Sequence, residues 1–222
     1  MRALVGRVLR GCARPLGLAR PPRPGREYWE SRARAFGARS VLNLGHPESE
    51  YHAVTEAQRR ELFPHMSRLL RGDEKLVLDF GCGPGRFTRD LAALTGGRAI
   101  GVDIVQTYLD AAPRDPRVDY RLMREGSLDL PDGCADVVWV CLVLGGIDGP
   151  LLRRSALEIS RVLAARGLLF LVENTSRMRD SAHWKFRAIE QYRDLFASVA
   201  LEHVHDYEDL GETISVMAGR RR

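Results

Sequence analysis

One stretch constrains this chain more than any other: Leu76, Val77, Leu78, Asp79, Phe80, Gly81, Cys82, Gly83, Pro84, Gly85, Arg86, Phe87, Thr88. It reads as an apolar strand with an acid near its end, three glycines at alternate positions, and the opening of a helix. Glycines so placed let backbone approach a ligand without a Cβ clash. The helix behind them offers unpaired N–H groups and the positive end of its dipole, so an anionic group is expected to dock there.

After Asp73 the sequence alternates short β-rich runs with amphipathic stretches, the rhythm of βαβ units and a mostly parallel sheet. Strands are predicted at 75–80, 98–103, 117–122, 135–141, 167–173, 200–206 and 213–219, and helices at 85–95, 106–112, 150–164 and 184–196. Only residues 207–212 separate the last two strands, too few for a crossover, so these should form an antiparallel hairpin. Residues 27–72 read as a helical cap: Tyr28 to Phe36, a loop through His46, then Thr55 to Leu70. Thr55 with Gln58 suggests a capping box, Leu62, Met66, Leu69 and Leu70 a core-facing stripe, and Pro64 a bend or a restart of the helix.

The formal charge of +5 invites a nucleic-acid reading until its location is considered. Residues 1–26 hold seven Arg and no acid, whereas residues 27–222 carry 27 basic against 29 acidic side chains. The body of the protein is therefore not expected to bind a polyanion. Pro15, Pro21, Pro22 and Pro24 rule out one continuous helix in residues 1–26, which are expected to be a disordered basic leader. Leu4, Val5, Val8 and Leu9 on one helical face beside Arg2, Arg7 and Arg10 keep a mitochondrial transit peptide as the alternative to a cytoplasmic protein. The longest near-continuous apolar run, Val137–Ile147, has 11 residues, short of the ~20 of a membrane span. Cys12, Cys82, Cys134 and Cys141 form no C-x-x-C pair and have no His at zinc spacing, so no metal is expected and the thiols read as reduced and structural.

A glycine turn alone does not choose its ligand, because dinucleotide enzymes use G-x-G-x-x-G. Here Arg86 stands where that fingerprint needs its third Gly, and Asp79 closes the strand. Both departures favour S-adenosylmethionine, whose ammonium gains from a nearby acid, over an all-anionic pyrophosphate. A second strand ends in Asp103, 18 residues after Gly85. A carboxylate there can accept two hydrogen bonds from ribose hydroxyls, each worth about 1.5–3 kcal/mol, with Ile104 placed against adenine.

Together these residues resemble the class I S-adenosylmethionine-dependent methyltransferases, over residues 73–219. Further matches are Asp136-Val-Val-Trp-Val-Cys141, Glu158-Ile-Ser-Arg-Val-Leu163 before the strand ending at Glu173, and the closing Ser215-Val-Met-Ala-Gly-Arg220. The resemblance implies an α/β, Rossmann-like fold of seven mostly parallel strands with the last antiparallel, here with the N-terminal helical cap added and residues 73–222 as the cofactor domain. It implies S-adenosylmethionine over the strand carboxyl ends, with Asp79, Gly81, Gly83, Gly85, Arg86, Asp103 and Ile104 around it. Family members often carry Gly-Asp after the third strand to read the adenine amino group. This chain has Glu125-Gly126-Ser127, so Ser127 takes the acid's place, with Glu125 or a backbone carbonyl as substitute.

The implied activity is methyl transfer to a small or medium-sized acceptor, its O, N or C nucleophile left open. Tyr28, Trp29, Phe36, Tyr51, Trp184 and Tyr192 suggest a partly apolar acceptor pocket. The catalytic residue is unknown; His183 and Glu173, near the end of the fifth strand, are the candidates for a proton acceptor. The competing readings are a non-catalytic binding or scaffold protein on the same fold, and a nicotinamide-dependent reductase.

Overall fold

Strands β1 (Leu76–Phe80) and β4 (Ala135–Cys141) are near-continuous apolar runs, as strands covered on both faces must be, and they pair in parallel at the centre of a seven-stranded sheet. The computed structural model describes residues 22–222; the leader expected at residues 1–26 falls mostly outside them, as does Cys12. β2 (Arg98–Asp103) and β3 (Val118–Leu122) extend the sheet on one side, and β5 (Leu163–Asn174), β7 (Glu212–Arg220) and β6 (Glu202–Asp209) on the other, giving the order β3-β2-β1-β4-β5-β7-β6. β7 runs antiparallel to both its neighbours. The predicted hairpin forms, and its turn places Leu210 and Gly211 both at positive φ, 53° and 79°, which matches the strand twist. Strand order reverses between β1 and β4, which opens a crevice at their carboxyl ends.

Helices cover both faces. Against one pack α5 (Gly149–Val162) and α6 (Ile189–Leu195), through Leu152, Ala156, Ile159, Tyr192 and Phe196. Against the other pack α2 (Tyr51–Leu69) and α3 (Thr88–Thr95), through Leu62, Phe63, Met66 and Leu91, with Trp139 stacked on Phe170 at 5.0 Å between ring centroids. The short α4 (Gln106–Ala111) follows β2, and α1 (Arg26–Phe36) contacts it through Ala33, Val105 and Tyr108.

Several expectations need correction. The stretch 27–72 is not one cap: α2 is a layer helix of the sandwich, and α1 with the 3₁₀ turn after it lies over the crevice. Thr55 and Gln58 form no capping box, because α2 starts at Tyr51 and both lie inside it. Pro64 does not end α2, which runs 19 residues through it. The predicted helix at 184–196 shrinks to α6, since residues 180–187 fold as a loop: Phe186 N–H donates to Asp180 and Lys185 N–H to the Gly145 carbonyl at 2.7 Å. No helix among the described residues is long and apolar enough to cross a membrane.

Candidate functional site

The turn after β1 is held by the end of β2. Asp103 accepts the Gly83 N–H on one carboxylate oxygen and the Val105 N–H on the other, both at 2.9 Å. Gly81, Gly83 and Gly85 have φ of 73°, 54° and 73°, in the region that disfavours side chains. The three differ in role. Gly81 and Gly83 line the crevice, whereas Gly85 does not; a Cβ at Gly85 would lie 2.5 Å from the Tyr120 hydroxyl, so its smallness serves the packing of β3 against the turn.

Two buried acids face this crevice. Asp79 is 3% exposed and accepts a 2.6 Å bond from the Thr88 hydroxyl at the start of α3. Burial pushes its pKa up to about 7, the Thr88 bond working against the rise and the Asp103 charge with it. Burial raises Asp103 to about 6, against the pull of the backbone N–H groups it accepts. Between the turn and α2 lies Arg86, whose guanidinium donates to the Thr55 hydroxyl at 3.1 Å and to the Gln58 carbonyl, and stacks over Phe87 at 4.8 Å. Its pKa is lowered by burial, and no carboxylate among the described residues lies within ion-pair distance of it. A half-buried cation served only by neutral acceptors and a ring is one to which an anion should bind.

The crevice continues past Ile104, Met123, Glu125 and Gly126, and α1 closes that end: the Arg26 N–H donates to Glu125 at 2.8 Å and the Arg26 guanidinium to the Met123 carbonyl at 3.0 Å. Ser127, expected here, is exposed and outside the lining; its N–H bonds back to the Arg124 carbonyl in a tight turn that presents Glu125 and Gly126 instead. At the other end lie Trp139, whose indole Nε1 is buried without a hydrogen-bond partner, and Cys141, whose thiol burial holds near pKa 12 and so keeps protonated.

A second cavity adjoins the first and shares Trp29, Val41 and Leu142 with it. Tyr28, His183, Trp184, Phe186 and Met178 line it. Its charged rim is largely engaged internally: Arg32 donates to the Ser40 and Leu42 carbonyls, Asp209 pairs with His46 at 2.6 Å, and Glu212 accepts from Asn174. His183 stacks on Tyr28 at 3.8 Å, its Nδ1 is buried without a partner, and burial with the nearby Arg32 lowers its pKa, so the ring is neutral near pH 7. Of the other aromatics expected to line this space, Tyr192 is fully buried in the α6 core, Phe36 is exposed, and Tyr51 lies by Arg86 outside either lining.

Glu173 is brought to neither cavity. Its carboxylate, wholly buried, accepts the N–H groups of Val143, Leu144 and Gly145 at 3.0, 2.6 and 3.1 Å and so shapes the turn after β4. Burial raises its pKa to about 7 while those N–H groups hold it down. Thr55, Gln58 and Trp139 are site residues that sequence reasoning missed. A helix interior and an apolar strand carry no signal that one face will meet a buried Arg.

Residues 78–171 match the family model of a methyltransferase domain. The matched stretch runs from β1 into β5 and carries the glycine turn and both crevice acids, the part of the chain that resembles the class I S-adenosylmethionine-dependent methyltransferases. Similar solved structures of this methyltransferase fold include a geranyl diphosphate C-methyltransferase from Streptomyces coelicolor A3(2), 17% identical with a TM-score of 0.65 over 90% of this chain and 100% of that one. A SAM-dependent methyltransferase from Aquifex aeolicus is 18% identical, with a TM-score of 0.55 over 76% of this chain and 97% of that one. The [4+2]-cyclase SpnF is 17% identical, with a TM-score of 0.65 over 90% and 98%. No curated protein matches this chain.

Proposed function

We infer that the protein binds S-adenosylmethionine in the first cavity and methylates a small or medium-sized, partly apolar acceptor held in the second. The carrying observation is the half-buried Arg86, without a carboxylate partner among the described residues, across the turn from the buried Asp79. A zwitterionic amino-acid end offers each what it lacks: its carboxylate to Arg86, its ammonium to Asp79. Asp103 would take the ribose hydroxyls, and Ile104 and Met123 would flank the adenine, with Glu125 and Gly126 at its edge. The cofactor supplies an already activated sulfonium methyl group.

The rest of the work is alignment. Trp29, Val41 and Leu142 form the shared wall through which the two cavities meet, so the acceptor's nucleophilic atom can face the donor with water displaced by aromatic side chains. Where the acceptor is a hydroxyl or an amine, the neutral His183 is the group placed to take its proton at Nδ1. Calorimetry with S-adenosylmethionine and its demethylated product should show one site for each, and no binding of either at millimolar ligand would overturn the reading. A binding or scaffold protein would bind both and transfer nothing. That the fold also serves a protein named as a cyclase makes the radiolabelled methyl-transfer assay the deciding step.

A further inference from the structure

Glu61 and His65 stand one turn apart on the same face of α2, and His205 of β6 comes down onto them. The His205 Nε2 lies 2.6 Å from a Glu61 carboxylate oxygen, and the His65 and His205 rings stack at 4.5 Å with 19° between planes. One ligand atom of each lies within 4.8 Å of the other two. The pairing of β6 with β7 shifts register between His203 and His205. Such an irregularity in an edge strand re-aims the side chains beside it, here next to a helix bearing two further metal-ligating groups.

We propose that Glu61, His65 and His205 form a site for a borderline divalent cation, Zn2+ in the first place, that clamps α2 to the edge of the sheet. Two imidazoles and one carboxylate are a donor set that zinc takes with a water in the fourth position. Tetrahedral ligands at about 2.0–2.1 Å from the metal sit about 3.3 Å apart, so the Glu61–His205 contact opens slightly and His65 swings in, by rotations these half-exposed side chains can make. The expectation from cysteine and histidine spacing was that no metal binds; linear spacing shows only the Glu61–His65 pair, and the fold supplies the third ligand.

The position gives the site a consequence. α2 also carries Thr55 and Gln58, which hold Arg86, and β6 continues from His205 into Tyr207 and Asp209 beside the two cavities. A metal between them ties both elements at a point away from the chemistry. The inference does not depend on the proposed activity.

The test is calorimetric titration of chelator-treated full-length protein with Zn2+, with Co2+ absorption as a second probe. The expected result is one site per chain, a tetrahedral Co2+ spectrum, and a rise in Tm on adding Zn2+ but not Mg2+. His65→Ala and His205→Ala should each weaken Zn2+ binding by about tenfold or more, and the double variant should abolish both the spectrum and the Tm rise while keeping the native circular dichroism. No saturable one-to-one uptake would overturn the proposal, as would uptake unchanged in the double variant, which would locate the metal elsewhere.

Discussion

Arg86 donates to the side-chain carbonyl of Gln58, and this bond joins the turn after β1 to helix α2 beside the crevice. Among the described residues no acid pairs with the cation it steadies. Replacing a half-buried charge that has no ion-pair partner among the described residues with an apolar side chain of similar length should cost the apo fold little. Arg86→Met is therefore expected to hold its unfolding free energy within about 1 kcal/mol of the parent, read from urea unfolding. The same variant should bind S-adenosylmethionine about ten- to a hundredfold more weakly, the loss of a charge-assisted contact. Equal affinities would remove Arg86 from the cofactor site.

The Asp79 carboxyl titrates near pH 7 in the fold against 3.8 ordinarily. The folded state thus keeps a proton that the unfolded chain has lost, so this group's contribution to stability is full below about pH 4 and disappears as pH rises through about 7. A docked ammonium favours the ionised acid. The rise in Tm produced by S-adenosylmethionine should therefore grow from pH 5 to pH 8 (both about) as Asp79 ionises, and Asp79→Asn should flatten that growth.

Asp103 has two tasks, since it holds the Gly83 and Val105 N–H groups and faces the proposed ribose position. Were the ribose its only partner, Asp103→Ala would weaken cofactor binding and leave the fold intact. The structure revises this: the variant also strips two buried N–H groups of their acceptor, at about 1–3 kcal/mol each, and should lower the Tm of the apo protein as well as raise the cofactor Kd. Asp103→Asn keeps an acceptor for one of them and should fall between parent and Ala in Tm.

His183 and Glu173 should separate cleanly. Glu173→Gln keeps an oxygen for the Val143 and Leu144 N–H groups but sets an amide donor against the Gly145 N–H, and should destabilise the fold by about 1–3 kcal/mol, measured by urea unfolding. His183→Ala should leave the unfolding free energy within about 1 kcal/mol and lower kcat for an acceptor that must lose a proton, by about a hundredfold where base catalysis contributes its usual share.

The parallel sheet, the crevice and its two acids were legible because each rests on local pattern: apolar runs of strand length, glycines at alternate positions, an acid closing a strand. The bounds of β2 and β4 agree with the reading to the residue. What escaped depends on packing between distant segments. Thr55 and Gln58 have the spacing of a helix cap, and only the approach of Arg86 shows their use. Glu173 ends a strand beside the pocket, as a base might, yet its oxygens turn away to a backbone turn that no spacing rule predicts. Tyr192 and Trp184 look alike as aromatic residues of one predicted helix, and the loop at 180–187 sends one to the core and the other to the cavity.

At the Glu125 end of the crevice the first helix is held by few bonds. Its opening turn is pinned to Glu125 and to the Met123 carbonyl, and of its eleven residues only Ala33 is buried. Bonds so few break far more often than the sheet unfolds. Under the proposed placement of the adenine, spent cofactor would leave by the end that α1 covers, so the release of α1 would bear on its dwell time.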